Sequence, residues 1–148
     1  MIDPLLLPYL SIIEDRKKHF TATARTMQGD AARLADNCNS HLYYGLHFEA
    51  NEWVLREWAP NATAIYLLFE GNDWQKNNHF SFKKLNNENW ELRLPAHLLH
   101  HQMLYKLLVE WDGGSGERLP SHTLRAVQDN YTKVFTAQVW QPPVPYQW

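Results

Sequence analysis

The stretch Trp53-Val54-Leu55-Arg56-Glu57-Trp58-Ala59-Pro60-Asn61-Ala62-Thr63-Ala64-Ile65-Tyr66-Leu67-Leu68-Phe69 decides the fold. Two apolar runs, Trp53–Trp58 and Ala64–Phe69, flank a Pro-Asn turn. Runs this short, bounded by turn residues, read as β-strands. Working outward, period-two patterning begins at Leu42 and continues to Val139. Candidate strands are Leu42–Phe48, Trp53–Trp58, Ala64–Phe69, Phe80–Leu85, Trp90–Leu94, Leu104–Trp111 and Lys133–Val139. Turn chemistry separates them at Glu49-Ala50-Asn51, Pro60-Asn61, Gly71-Asn72-Asp73, Asn86-Asn87, Pro95 and Asp112-Gly113-Gly114-Ser115-Gly116. About seven short strands with no helices between them predict an immunoglobulin-like β-sandwich, a mainly β fold in which two sheets bury each other's apolar faces.

Upstream of this region the chain reads as helical. Asp3 before Pro4 is an N-cap followed by proline at the first helical position, and Pro8 keeps that first helix short. Ser11-Ile12-Ile13-Glu14 fits a capping box, so a second helix is expected from about Ile12 to Met27, stopped at Gly29. Asp30 is placed to cap a further turn through Leu34. Downstream, Gln141-Pro142-Pro143-Val144-Pro145-Tyr146-Gln147-Trp148 reads as an extended linker. The expected organisation is a helical segment over 1–40, a sandwich over 41–140 and a Pro-rich linker over 141–148.

Composition narrows the function. The net charge is −2, with 14 basic against 16 acidic residues, so nothing marks the chain for nucleic acid or an anionic membrane. Cys38 is the only cysteine and excludes an intrachain disulfide. The N-terminus lacks a basic n-region, and no apolar run approaches the ~20 residues of a membrane span. A soluble, cytoplasmic chain is expected. Asn61-Ala62-Thr63 and Asn130-Tyr131-Thr132 match the glycosylation sequon, which matters only in a secretory compartment. Aromatic residues make up 14% of the chain, with seven Trp and seven Tyr. Such rings fill cores, and they also stack on apolar ligand faces.

Several motifs in order resemble the glycogen-branching enzymes. They are Trp53 through Ala62, the Asn72-Asp73-Trp74 loop, Lys83-Lys84-Leu85, Trp90-Glu91-Leu92-Arg93-Leu94-Pro95, Tyr105-Lys106-Leu107, Arg118-Leu119-Pro120 and Val127-Gln128-Asp129. Asp3-Pro4 through Tyr9 with Gly45-Leu46-His47 looks like the helical lead-in of the eukaryotic-type enzymes, and Val139-Trp140-Gln141-Pro142-Pro143 looks like the junction to a catalytic barrel. The resemblance implies a family 48 carbohydrate-binding module attached in the full-length protein to a family 13 barrel with retaining glycosyltransferase activity. The chain departs from that pattern in the loop Phe69-Glu70-Gly71-Asn72-Asp73-Trp74, in Asn87-Glu88-Asn89, and in a hairpin Asp112–Arg118 without an aromatic residue.

Trp74 sits in a polar loop, where an indole can stack on the C–H face of glucose; the alternative is a lid folded onto the core. Trp90 shares a strand face with Leu92 and Leu94, which favours packing, while a place at the sheet edge would leave its ring open to sugar. Lys106 points away from Tyr105 and Leu107, either into solvent or, as the resemblance implies, toward sugar hydroxyls beside Trp74. Asn72, Asn87 and Asn89 offer amide hydrogen bonds, though turn formation explains them equally well. Trp53 and Trp58 are assigned to packing or to the barrel contact. Arg56 and Glu57 read as a local exposed pair contributing about 0–1 kcal/mol. His97, His100 and His101 form His-x-x-His-His, but no carboxylate lies between Arg93 and Val109 to support a zinc site. Neither a metal nor a cofactor is expected.

Glycosyl transfer needs two facing carboxylates, ~5 Å apart in retaining enzymes. Nothing in the chain resembles the family 13 signatures, and no βα repeats build a barrel. The expected role is therefore non-catalytic: holding α-1,4-glucan chains for a catalytic barrel that follows in the same polypeptide. Two alternatives stand beside it. One is a structural domain bracing that barrel, with an exposed apolar patch near Trp140 and Trp148. The other is a standalone glycogen-targeting regulatory module.

Overall fold

The computed structural model describes residues 3–29, 33–86 and 88–144 and divides the chain into two compact units, residues 1–40 and 41–148. In the first unit, Asp3 caps a 3-10 turn over Pro4–Tyr9, its carboxylate accepting from the Leu5 amide at 2.9 Å. This turn runs directly into helix α1 (Leu10–Gln28). The expected capping box at Ser11 is therefore not used. The Leu10 amide already donates to the Leu7 carbonyl, so Ser11 lies inside a helix that began upstream of it. Gly29 ends α1 as expected, with φ +54° and its N–H donating to Arg25 O at 3.1 Å. A second 3-10 turn spans Leu34–Asn37, and the Asn37 amide donates back to Met27 O at 2.8 Å. Asp30, expected to cap here, lies outside the described residues.

A single helical turn α2 (Ser40–Tyr43), whose last three residues open the second unit, leads into the expected sandwich. One sheet joins β1 (Gly45–Glu49), β2 (Glu52–Trp58), β5 (Asn89–Pro95) and β4 (Lys83–Lys84), in the order β1-β2-β5-β4. The other joins β3 (Ala62–Phe69), β6 (Leu104–Trp111), β9 (Phe135–Gln138) and β8 (Ala126–Gln128), in the order β3-β6-β9-β8. The last strand, β7 (Gly114–Arg118), pairs with β6 over Leu107–Trp111, while β9 pairs with Leu104 and Tyr105 of the same strand. All pairs are antiparallel.

Five strands, β2, β3, β5, β6 and β9, lie within two residues of their expected bounds, β8 was not expected, and β1, β4 and β7 differ for identifiable reasons. Leu42 and Tyr43 belong to α2, so β1 starts late, at Gly45. Of the run Phe80–Leu85 only Lys83–Lys84 is a strand, because Asn77 caps a 3-10 turn over Asn78–Phe80. Gly114–Arg118 was expected to be mostly turn and is strand β7, formed by a two-residue hairpin at Asp112-Gly113. At the β1–β2 hairpin, Ala50 and Asn51 both take positive φ, 48° and 65°, the geometry that matches strand twist.

The core alternates as the sequence does. Trp53, Leu55, Trp90, Leu92 and Leu94 of one sheet face Ile65, Leu67, Phe69, Tyr105, Leu107 and Val109 of the other. Burial of each such aliphatic side chain contributes about 1.5–3 kcal/mol. Gly45 (φ +92°) marks a close approach: a Cβ there would sit 2.3 Å from the His122 carbonyl oxygen.

Arg56 and Glu57 do not pair with each other. Neighbours on a strand point to opposite faces. Arg56 reaches Glu49 (2.8 Å) and Glu91 (2.8 Å) on the outer face, with its guanidinium 4.8 Å from the Tyr43 ring centroid. Glu57, fully buried on the inner face, accepts from Arg118 Nη2 (3.1 Å) and the Ser121 amide (3.0 Å). Burial pushes the Tyr105 hydroxyl well above its ordinary value, and the nearby Glu57 carboxylate pushes the same way.

The outer cluster carries a pH signature. The hydrogen bond from Arg56 holds Glu49, and that from Arg93 holds Glu91, below their ordinary value of 4.5. Depressed carboxyls contribute stability above their unfolded pKa and lose it as pH falls through the folded one. The thermal midpoint is therefore expected to drop as pH falls below about 4.5. In Glu91→Gln the midpoint at pH 7 is lower and the acid slope shallower, as a pH series by circular dichroism would record. An unchanged acid slope would assign the loss elsewhere.

Candidate functional site

The candidate site is a groove of about 610 Å³ on the second sheet, bounded by Trp74, Lys106 and the loop from Asp129 to Thr132. Trp74 follows β3 through a compact loop. Asn72 builds that loop: its Oδ1 accepts from the Phe69 amide (2.9 Å), and its Nδ2 donates to Gln75 O (2.9 Å) and Leu67 O (3.3 Å). The Trp74 amide donates to Phe69 O at 3.2 Å. Asp73 and Trp74 both occupy left-handed backbone, at φ 53° and 59°. That conformation is uncommon for any L-residue and an outlier for one this bulky. The indole it presents is 37% exposed, part seated on the domain and part open.

Lys106 lies on the outer face of β6, because Tyr105 and Leu107 on either side point into the core. Its Nζ is 5.5 Å from the Trp74 ring centroid and 3.4 Å from Glu117 Oε2 on β7. The far wall is a turn built by Asp129. Its Oδ1 accepts from the amides of Tyr131 (3.0 Å) and Thr132 (2.7 Å) and from the Thr132 hydroxyl (2.9 Å). The Thr132 amide, first among these, holds the Asp129 carboxyl below its ordinary value of 3.8. The turn holds up Tyr131 with its side chain 94% exposed. An open indole, an ammonium and a free phenol around one groove offer stacking surface and hydrogen bonds to a polyhydroxylated ligand.

Trp74 and Lys106 are thus brought together, while the other candidates are not. Trp90 is 4% exposed and donates its indole N–H to Ala59 O at 3.0 Å, so the platform role gives way to packing. Its strand faces inward at that position, and no sheet edge opens the ring. Asn72 spends its amide on the loop rather than on a ligand. Asn89 lies on β5 of the first sheet, opposite Trp58; its Oδ1 accepts from Tyr44 OH (2.6 Å) and its Nδ2 donates to Asn86 (3.0 Å). Asn87 lies outside the described residues. Tyr131 and Asp129 were missed, because Asn130-Tyr131-Thr132 reads as a sequon. The signal available was an Asp followed three residues later by Thr, an Asx-turn pattern that puts the intervening residues on display.

The histidine cluster does other work. His101 packs on Trp140 (centroids 4.7 Å apart) and accepts from the Gln141 amide at 3.1 Å, with the Arg125 guanidinium 4.2 Å from the same indole. These contacts hold Trp140 in place while it stays 37% exposed, and Trp148 lies outside the described residues. Among the described residues no three His, Cys, Asp or Glu side chains converge on a metal position. No helix among them is long and apolar enough to cross a membrane. A larger apolar cleft, about 810 Å³, opens at the opposite end of β3 and β6 between Trp58 and Trp111.

Comparison with known proteins agrees with this architecture. The model of carbohydrate-binding module 48 (isoamylase N-terminal domain) matches residues 43–132. The 1,4-alpha-glucan-branching enzyme of Rhizophagus irregularis is 30% identical over 99% of this chain, and that of Candida glabrata 29% identical over 99%. The chain spans only 22% and 24% of those two proteins' lengths. Among solved structures, pullulanase type I from Bacillus subtilis str. 168 superposes with a TM-score of 0.54 at 18% identity, over 71% of this chain and 14% of that one. The pullulanase from Bacillus acidopullulyticus gives 0.51 at 19%, over 66% and 12%. At such identities the likeness bears on the fold alone. Because the family model spans the sandwich from just before β1 to the turn that displays Tyr131, the chain belongs to the carbohydrate-binding module 48 family.

Proposed function

We propose that this chain is a non-catalytic α-glucan-binding and docking module from the N-terminal end of a 1,4-alpha-glucan-branching enzyme. The observation that carries the reading is the half-open Trp74 indole, with the Lys106 ammonium over its ring, 5.5 Å from the centroid, and Tyr131 across the groove. A pyranose ring lays its C–H face on the indole, while Lys106 and the polar turn meet its hydroxyls. One platform holds sugar weakly. Tethering compensates, because a bound chain stays at high effective concentration beside a barrel on the same polypeptide. Titration with maltoheptaose, followed by Trp fluorescence or NMR shifts, is expected to perturb Trp74 and Tyr131 together. Trp74→Ala should weaken the response at least about tenfold with an unchanged far-UV spectrum, and Tyr131→Ala should weaken it less. If wild type and Trp74→Ala respond alike, the chain is no sugar module.

A second role is compatible with the first. Trp58 is half exposed and lines the apolar cleft with Trp111, where it supports docking against the remainder of a longer protein. The relatives' greater length supplies such a partner. Amide exchange around β7 should then be slower in the longer protein than in this chain, and equal rates would remove the role.

A further inference from the structure

We infer that Glu117 and Lys106 form a donor–acceptor pair that reads the neighbouring C2 and C3 hydroxyls of a glucose unit stacked on Trp74. The inference rests on the platform reading and adds to it a ligand-contacting carboxylate and a preference among α-linked sugars. The two side chains share the outer face of the second sheet: Lys106 lines the groove beside Trp74, and Glu117, next to it, lines the cleft of Trp58 and Trp111. Glu117 lies opposite Leu108 in the β6–β7 register, one diagonal step from Lys106. Lys106 Nζ stands 3.4 Å from Glu117 Oε2 and 5.5 Å from the Trp74 ring centroid, so the ammonium sits between carboxylate and indole. Lys106 is mostly shielded, with 21% of its side chain exposed, whereas Glu117 is open at 54%.

The chemistry of the pair is asymmetric in a useful way. An ammonium only donates and a carboxylate only accepts, while each sugar hydroxyl does both. Two adjacent hydroxyls can therefore engage one group each, through charge-assisted bonds stronger than neutral ones. At 3.4 Å the two groups leave each other with unused capacity: two ammonium protons and the second carboxylate oxygen remain free. An ion pair with one partner open to solvent adds little to folding, so the sandwich does not depend on it. An α-1,4 linkage leaves the C2 and C3 hydroxyls of every interior unit free. A 1,3 linkage, or a substituent at C2, removes one of them.

Three cyclic α-1,4-glucans test the pairing on the full 148-residue chain: β-cyclodextrin, its 6-O-methyl derivative and its 2,3-di-O-methyl derivative. Calorimetric titration of wild type should give similar affinities for the first two and about tenfold weaker binding of the third. Glu117→Gln should weaken β-cyclodextrin about tenfold and leave the 2,3-di-O-methyl form as in wild type, closing a double-mutant cycle. A merely structural role would weaken all three by the same factor, and that result overturns the inference. Wild-type affinity for β-cyclodextrin in Glu117→Gln also overturns it, as does a wild type that binds all three ligands equally. Should Trp74→Ala abolish maltoheptaose binding while Glu117→Gln changes nothing, the platform stands and only the paired reading falls. A wild type silent toward every one of these glucans removes both.

Discussion

Trp90→Ala is expected to lower the stability of the sandwich by about 3–5 kcal/mol, the range for truncating a buried aromatic residue. The ring is closed in among Leu55, Leu92 and their neighbours in the inter-sheet core, and the Ala59 carbonyl loses its indole donor at the same stroke. Urea unfolding at neutral pH measures the difference. At urea concentrations where the variant remains folded, its response to maltoheptaose should match wild type, since Trp90 lines no part of the groove. A stability change below about 1 kcal/mol, or a selective loss of sugar binding, would return Trp90 to the ligand site.

The second large effect falls on Arg118. Glu57 is fully buried, and its partners are one guanidinium and one backbone amide. Removing a single partner from a buried ion pair leaves an uncompensated charge and typically costs about 3–5 kcal/mol. Arg118→Ala should fall at the lower end of that range, because the Ser121 amide still meets the carboxylate. Adding Glu57→Leu to the same chain should recover part of the loss, since an apolar side chain needs no partner there. Two single variants and the double variant, compared by chemical denaturation, read the coupling directly. Arg118→Ala within 1 kcal/mol of wild type would mean that water reaches Glu57.

Strands β2 and β3 were legible as short apolar runs bounded by turn residues, and β5 and β6 through the alternation of Trp90, Leu92, Leu94 and of Tyr105, Leu107, Val109. The strand β7 was not. Gly114-Ser115-Gly116-Glu117-Arg118 has no apolar face, and it exists because β6 offers a free edge. The Trp111 ring lies over its glycines, so close that a Cβ at Gly114 would meet the indole at 3.1 Å. No local pattern encodes that contact. The site divides in the same way. Trp74 and Lys106 were readable, one from a polar loop around an indole and the other from alternation. Tyr131 joins them only through pairing of β9 with β6, across 57 residues of chain from Trp74, and its own neighbourhood spells a different motif. Trp90 illustrates the reverse case, where alternation named the buried face before any geometry was known.

On the proposed reading of Trp74 as a sugar platform, the left-handed pair Asp73-Trp74 sets thermostability against ligand capture. Glycine adopts that backbone at no steric cost, so Asp73→Gly relaxes a conformation that costs an ordinary residue about 1–2 kcal/mol. The same relaxation frees the indole to wander, and the entropy of fixing it then falls on each binding event. Selection for heat resistance alone would favour that glycine and erode the proposed grip on glucan.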